Sequence, residues 1–383
     1  MKRSDRKYII SGVKRAIIKI GSSVLTDKKG SLSESVFDFL AGEIARIRSR
    51  GIEVIIVSSG AIASGMKKLH LSRKPTEISM KQAIAACGQS ALIWNYERAF
   101  SSFGLIVAQI LITHDGLADR RRFLNARKTL TTLLGMGIIP IVNENDTVAV
   151  EEIMLGDNDN LAALVTSLVE ADLLILLTDI EGLYNKDPRK NHDAEFISLI
   201  DSIGEEIESV AGDTLGSTTT GGMITKIQAA RTAAAFGVPT IIANGKSETT
   251  LADIFDGRDV GTIFLPSKKS LRGRKHWIAF TLKSAGKLVL DGGAVKAITT
   301  RGKSLLPSGI KDVRGKFGVG DSVTCVDEDG VEVARGLTSY GSEEIRLIMG
   351  LSTKDVESAL GYKYSDEVIH RDDLAVIEKR SRV

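Results

Sequence analysis

The sequence predicts an α/β protein in which a mainly parallel sheet layered with helices is followed by a small β-rich module. Up to about residue 265, short continuous apolar runs alternate with longer segments of helical period, the pattern of strands joined by crossover helices. The loops after those runs are polar and bear glycine, as at the carboxyl ends of parallel strands where ligands bind. Beyond residue 275 the texture changes to short alternating runs punctuated by glycine. A chain of 383 residues has room for two or three domains.

In chain order, the strand candidates are Ala16–Ile20, Val54–Val57, Leu105–Leu111, Ile138–Val142, Leu173–Leu177 and Thr240–Ala243. They are apolar throughout, which suits strands covered on both faces. Between the first two, Ser33–Arg50 sets Val36, Phe37, Leu40, Ile44 and Ile47 on one helical stripe, and Gly51 stops it. Residues 78–100, 121–136, 160–170 and 223–236 have the same period. In the second part, Lys287–Asp291, Ala294–Arg301, Ser322–Asp327 and Val331–Thr338 read as strands. Asp327-Glu328-Asp329-Gly330 is a hairpin signal, because Asp-Gly suits a turn that needs positive φ.

Composition excludes several classes. Hydrophobic residues at 43% and charged residues at 26% rule out disorder as the main theme. No apolar run reaches the roughly 20 residues of a membrane span, and Met1–Lys7 lacks a signal-peptide core, so a soluble cytoplasmic protein is expected. Cys87 and Cys325 form no CxxC pattern, and both are expected in the core. The net charge of +3 is uneven: Met1 to Pro266 holds 30 basic and 32 acidic residues, and Ser267 to Val383 holds 21 and 16. Ser267–Lys275 contains five basic residues and no acid. The expected division is therefore a domain over 1–266, a basic linker over 267–283 and a second domain over 284–383. The basic surplus suits either nucleic-acid contact or an ordinary solvated face.

Four loops carry the chemistry. Lys19-Ile20-Gly21-Ser22-Ser23 ends a strand in a cation, then offers a glycine and two hydroxyls to a phosphate, although a rim lysine would look the same. Ser58-Ser59-Gly60-Ala61 leads into a helix, either as an anion site or as a simple cap. Asn143-Glu144-Asn145-Asp146 and Gly156-Asp157-Asn158-Asp159-Asn160 gather amides and carboxylates near one strand end. Leu161 and Ala162 stand where an EF-hand needs a ligand and a glycine, so calcium is disfavoured. A pocket for an amino group, or carboxylates that orient lysines or bind magnesium indirectly, fits better. Thr218-Thr219-Thr220-Gly221-Gly222-Met223-Ile224-Thr225-Lys226 opens a helix with hydroxyls, two glycines and a lysine one turn in, a phosphate cradle with a movable charge. There is no GxxxxGK[ST] or GxGxxG, no protein-kinase set of HRD followed by DFG, and the histidines form no HxH or HExxH.

Taken together with Arg122-Phe123-Leu124-Asn125-Ala126-Arg127, Leu177-Thr178-Asp179 and Gly182-Leu183-Tyr184, these blocks closely resemble the glutamate 5-kinase family, of the amino-acid kinase fold. The resemblance runs from about Ala16 to Gly245. It resumes at Leu305-Leu306-Pro307-Ser308-Gly309-Ile310 and His370-Arg371-Asp372-Asp373, which look like a C-terminal PUA domain. Ser22 and Ser58 stand where threonine is frequent in the family, and both keep a hydroxyl.

The resemblance implies an αβα sandwich followed by a PUA barrel. It also implies phosphorylation of the γ-carboxylate of L-glutamate by ATP with Mg2+, the first step of proline biosynthesis. By family motif, Lys19, Asp159 and Lys226 would be catalytic, with Asp159 orienting the two lysines from opposite sides of the nucleotide. Ser59, Asp146 and Asn158 would hold glutamate. Lys19, Gly21, Thr178, Asp179 and Thr220, Gly221, Gly222, Met223, Ile224, Thr225 and Lys226 would line the ATP site; no direct protein ligand to a metal is expected. Feedback inhibition by proline, a homo-tetramer or dimer, and weak RNA contact through the PUA domain are further implications. The alternatives are a same-fold kinase for another carboxylate or a nucleotide, and an RNA-binding or RNA-modifying PUA protein.

Overall fold

A computed structural model of the chain describes residues 6–27, 30–73, 75–118, 120–148, 157–186, 188, 191, 193–203, 222–266 and 284–377. Two compact units divide it, Met1–Ser270 and Leu271–Val383. The stretch 267–283, read as a linker, lies outside the described residues.

In the first unit the apolar runs become β1 (Arg15–Ile20), β2 (Glu53–Ser58), β3 (Val107–Ile112), β4 (Ile139–Glu144) and β5 (Leu173–Thr178). Short strands β6 (Leu183–Tyr184), β7 (Phe196–Ile197) and β8 (Leu199–Ile200) follow, then β9 (Thr240–Asn244) and β10 (Thr262–Phe264). β6 and β7 pair with each other. The remaining eight form one sheet in the order β3-β4-β2-β1-β5-β9-β10-β8. Its pairings are parallel except β9 with β10.

Alternate residues of the central strands feed two separate cores. Ile18, Ile20 and Ile56 pack with Phe37, Leu40 and Tyr96 on one face; Ile17, Ile55 and Val57 pack with Leu161, Val165 and Ile227 on the other. This is the three-layer sandwich, and it explains why those strands carry no polar alternation. Each large aliphatic side chain so buried contributes about 1.5–3 kcal/mol. β3 differs because it is an edge strand: Gln109 and Leu111 are exposed, and of its six residues only Ile112 is buried.

Parallel register aligns the carboxyl ends of the central strands. Ile20 lies opposite both Ser58 and Leu177, Val57 opposite Val142, and Thr178 opposite Asn244. The helices Ala61–Lys68 and Ile78–Ser101 meet glycine to backbone. A Cβ on Gly65 would lie 1.9 Å from the Ile84 carbonyl oxygen, and one on Gly88 1.9 Å from that of Ala61. No other residue fits at either crossing point without moving a helix.

The second unit is a five-stranded mixed sheet, with β11 (Gly286–Leu290), β12 (Ile310–Gly315), β13 (Ser322–Val326), β14 (Glu332–Leu337) and β15 (Leu374–Val376) in the order β12-β11-β13-β14-β15. The Asp327–Gly330 hairpin joins β13 to β14, with Gly330 at φ +79 and the Asp327 carboxylate accepting from the Val331 N–H at 2.8 Å. One expectation fails: Ala294–Arg301 is no strand, because Gly292–Thr299 is a helix. Its β-branched residues mislead by propensity. The Asp291 carboxylate caps the helix by accepting from the Ala294 N–H at 2.6 Å, and Ala294 and Ile298, four residues apart, turn one face to the core. β12 and β15 have no counterpart among the strands expected from the sequence.

Cys325 is fully buried, and burial pushes its thiol up to about 12. Cys87 is only half-buried and so departs from the core expectation. The buried stripe of its helix runs through Ile84, Gly88, Leu92 and Tyr96, and Cys87 falls beside it. Among the described residues no helix is long and apolar enough to cross a membrane.

Candidate functional site

The aligned carboxyl ends of β1, β2, β4 and β5 meet the start of the helix Asp157–Val169. Asn158 and Asp159 enter this first turn side by side, and each organises a different group of residues.

Asp159 is fully buried. Its Oδ1 lies 2.6 Å from Lys19 Nζ at the end of β1, and its Oδ2 lies 3.2 Å from Lys226 Nζ in the helix Met223–Ala235. Thr225 Oγ1 donates to the same Oδ2 at 2.9 Å. Both lysine side chains are nearly buried, at 7% and 5% exposure. Burial alone would raise the Asp159 carboxyl, but Lys19, Lys226 and Thr225 outweigh it and hold the group below the usual carboxylate range. Burial lowers the Lys226 ammonium from its ordinary value; Asp159 opposes this and Lys19 adds to it. Two cations thus face one carboxylate, a local surplus of positive charge held out of water. That donor chemistry fits a polyphosphate.

Around it, Gly21 follows β1 with its N–H donating to the Leu177 carbonyl at 3.1 Å. A Cβ there would lie 3.2 Å from that oxygen and 3.8 Å from Lys19 Nζ. Thr178 is buried at the end of β5 and donates to the Asp179 carboxylate at 3.2 Å, and Asp179 is exposed. Gly222 is the N-cap of the helix that carries Lys226. Met223 and Ile224 pack their side chains against an apolar core, so their polar offering is backbone N–H. Thr220 and Gly221 lie outside the described residues. Among those residues, no three or more His, Cys, Asp or Glu side chains gather as a metal site.

Asn158 faces the other way. Its Nδ2 lies 3.1 Å from the Ser58 carbonyl, 3.1 Å from Ser59 Oγ and 3.0 Å from Asn143 Oδ1. Asn158 Oδ1 is buried and has no hydrogen-bond donor among the described residues. Ser59 precedes Gly60, whose φ of +110 opens the turn into the helix Ala61–Lys68 and favours glycine. Asp146 follows β4 with no cation in ion-pair range among the described residues, and burial pushes its carboxyl up to about 6. A desolvated carboxylate of this kind gains from a ligand cation.

Lys19, Ser59, Asn158, Asp159 and Lys226, expected from the sequence as site residues, lie together in the fold. Thr225, expected only in the nucleotide loop, bonds Asp159. Asn143 stood in a quoted motif without a role, and Gln89, which accepts from Asn143 Nδ2 at 2.9 Å, carried no signal. It lies in mid-helix, outside every polar loop.

The amino acid kinase family signature matches residues 14–244, and the PUA domain signature matches residues 286–360. The chain is 53% identical over 372 residues to a glutamate 5-kinase of Geobacter sulfurreducens, covering 97% of this chain and 100% of that one. It is 52% identical over 365 residues to the glutamate 5-kinase of Caldanaerobacter subterraneus, covering 95% and 98%. With the glutamate 5-kinase of Syntrophus aciditrophicus the identity is 51% over 378 residues, covering 99% and 98%.

Proposed function

The chain belongs to the amino acid kinase family, in its glutamate 5-kinase branch, and on that premise we propose how its site divides the work. The enzyme transfers a phosphoryl group from ATP to the γ-carboxylate of L-glutamate, giving L-glutamyl 5-phosphate and ADP in proline biosynthesis. The observation that carries the division of labour is the pair of neighbours Asn158 and Asp159. One is bonded to Ser59 and Asn143, the other to Lys19 and Lys226.

On this reading Ser59, Asp146 and Asn158 hold glutamate, with Asp146 meeting the α-ammonium through a charge-assisted bond. Lys19 and Lys226, oriented by Asp159, neutralise the oxygens of the transferred phosphoryl group and of the departing ADP. Gly21, Thr178, Asp179 and residues 220–225 line the nucleotide. A γ-carboxylate with an ordinary pKa near 4.3 is already ionised at neutral pH. It attacks the γ-phosphorus directly; the new O–P bond forms as the bond to the β-phosphate oxygen breaks, with no proton to remove. Positioning and charge neutralisation therefore supply the catalysis. Mg2+, carried on phosphate oxygens as is usual for that ion, would add positive charge to the same oxygens.

The test is a hydroxylamine trap for the acyl phosphate, run with ATP and a panel of L-glutamate, L-aspartate and N-acetylglutamate, with ADP release measured in parallel for these and for UMP. Hydroxamate from L-glutamate alone is expected; product only with another acceptor overturns the substrate assignment. Following the family resemblance, we further propose proline as feedback inhibitor, a dimeric or tetrameric assembly, a cytoplasmic location, and weak RNA contact through a PUA domain over 284–383 joined by a basic linker. Proline in the same assay tests the first of these.

A further inference from the structure

Gln89 lies at the start of the fourth turn of the helix Ile78–Ser101 and bonds a residue of the glutamate side of the site. The bonding there has one consistent direction. Backbone groups fix it, since an N–H can only donate and a carbonyl oxygen can only accept. The Glu144 N–H donates to Asn143 at 2.9 Å, so the atom it meets is Oδ1. Asn143 Nδ2 therefore faces Gln89 and donates to its Oε1 at 2.9 Å. The Ser58 carbonyl is likewise an acceptor only, so the atom of Asn158 turned to it is Nδ2. Asn143 Oδ1 accepts from that same Nδ2 at 3.0 Å. The chain of amides thus runs Gln89, Asn143, Asn158 without ambiguity. It leaves Asn158 Oδ1 as the group without a donor among the described residues.

The helix holds this site at a second point. Tyr96, two turns beyond Gln89 on the same side of the helix, shares a hydrogen bond with Ser58 Oγ at 2.9 Å. Gly88, just before Gln89, lets the helix approach the Ala61–Lys68 helix at backbone distance.

We propose that Gln89 is a positioning residue for the glutamate site: by accepting from Asn143 it holds in place the amide that receives Asn158 Nδ2, and so steadies Asn158, whose direction the backbone sets, with its carbonyl oxygen available to the substrate. At neutral pH, L-glutamate carries one donor group, its α-ammonium, and that is the donor Asn158 Oδ1 lacks. The inference rests on the assignment of Ser59, Asp146 and Asn158 to glutamate. It adds that an amide outside the binding loops sets how well the ammonium is recognised.

The test compares Gln89→Met, which keeps length and removes the acceptor, with Gln89→Glu, which keeps it. Kinetics are measured with L-glutamate and with glutarate, the same chain without the ammonium. Gln89→Met is expected to raise KM for glutamate about tenfold, the worth of one good hydrogen bond, and to leave KM for ATP unchanged. The glutamate to glutarate ratio of kcat/KM should fall by the same factor, and Gln89→Glu should restore most of it. Adding Gln89→Met to Asn158→Ala should cost nothing further, since both remove one interaction. Equal losses with glutamate and glutarate, or additive losses in the double variant, overturn the proposal. If Asn158→Ala and Asp146→Asn leave glutamate KM unchanged, the underlying site assignment fails instead. If they raise it while Gln89→Met does not, only the role of Gln89 fails.

Discussion

In the first unit, Lys19, Asp159 and Lys226 keep side chains at most 7% exposed and still bear charge. In the second unit, charged pairs such as Lys311 with Glu328 lie more than half exposed, at 54% and 56%, and among its described residues no charged side chain is buried. The basic surplus of Ser267–Val383 falls in 267–283 and 378–383, outside the described residues, and 284–377 hold 12 basic and 15 acidic residues. The first unit, with no such surplus, concentrates two cations on one buried carboxylate. Net charge therefore says little about where charge acts. Burying three charged groups costs desolvation that their mutual attraction barely repays, so the first arrangement is explained by chemistry and the second by solubility.

The comparison is most easily broken at Asp159. Asp159→Ala removes the carboxylate that two buried ammonium groups share, and the expected loss is about 3–5 kcal/mol, read from urea unfolding at pH 7. An unchanged midpoint would mean that water already reaches the lysines. Next in size, Lys226→Ala should lower kcat roughly 10²–10³-fold, the scale of losing one group aimed at transition-state charge, with a smaller change in glutamate KM. A loss confined to KM would make Lys226 a ground-state binder.

Asp146 sharpens the comparison through pH. Its carboxyl, raised by burial to about 6, is ionised above that value and protonated below it. A substrate ammonium favours the ionised form, so glutamate affinity should fall up to about tenfold per unit as pH drops below 6, read down to about pH 5, where the γ-carboxylate of glutamate is still mostly ionised. Asp146→Asn should flatten that profile and raise glutamate KM by roughly one to two powers of ten, the worth of a charged hydrogen bond, leaving ATP KM alone. The smallest effect belongs to the second unit. Lys311→Ala removes an exposed pair and should move neither kcat nor the melting temperature measurably.

Legibility followed the reach of each signal. The strands of the first sheet were plain because burial on two faces leaves unbroken apolar runs. Lys226 stood out by its glycine-rich loop, whereas Lys19 by itself looked like a rim lysine, and its role, like that of Asp159, followed from the family resemblance. Ala294–Arg301 misled because β-branched propensity is weak beside one capping carboxylate and an i, i+4 contact. Met223 and Ile224 sat within a phosphate-loop pattern, yet their side chains serve the core. A sequence window cannot say which face of a turn meets the ligand.

The sequence by itself determined the α/β class, the change of texture beyond residue 275, and the chemistry of the four loops, since these depend on local period and residue type. Only the tertiary structure decided that Lys19 and Lys226, 207 positions apart in the chain, share the two oxygens of Asp159. It alone linked Gln89 to Asn158 through Asn143. Parallel register and the glycine-to-backbone helix crossing bring those groups within 3 Å or so of one another, and such distances follow from how elements pack, which no local pattern encodes.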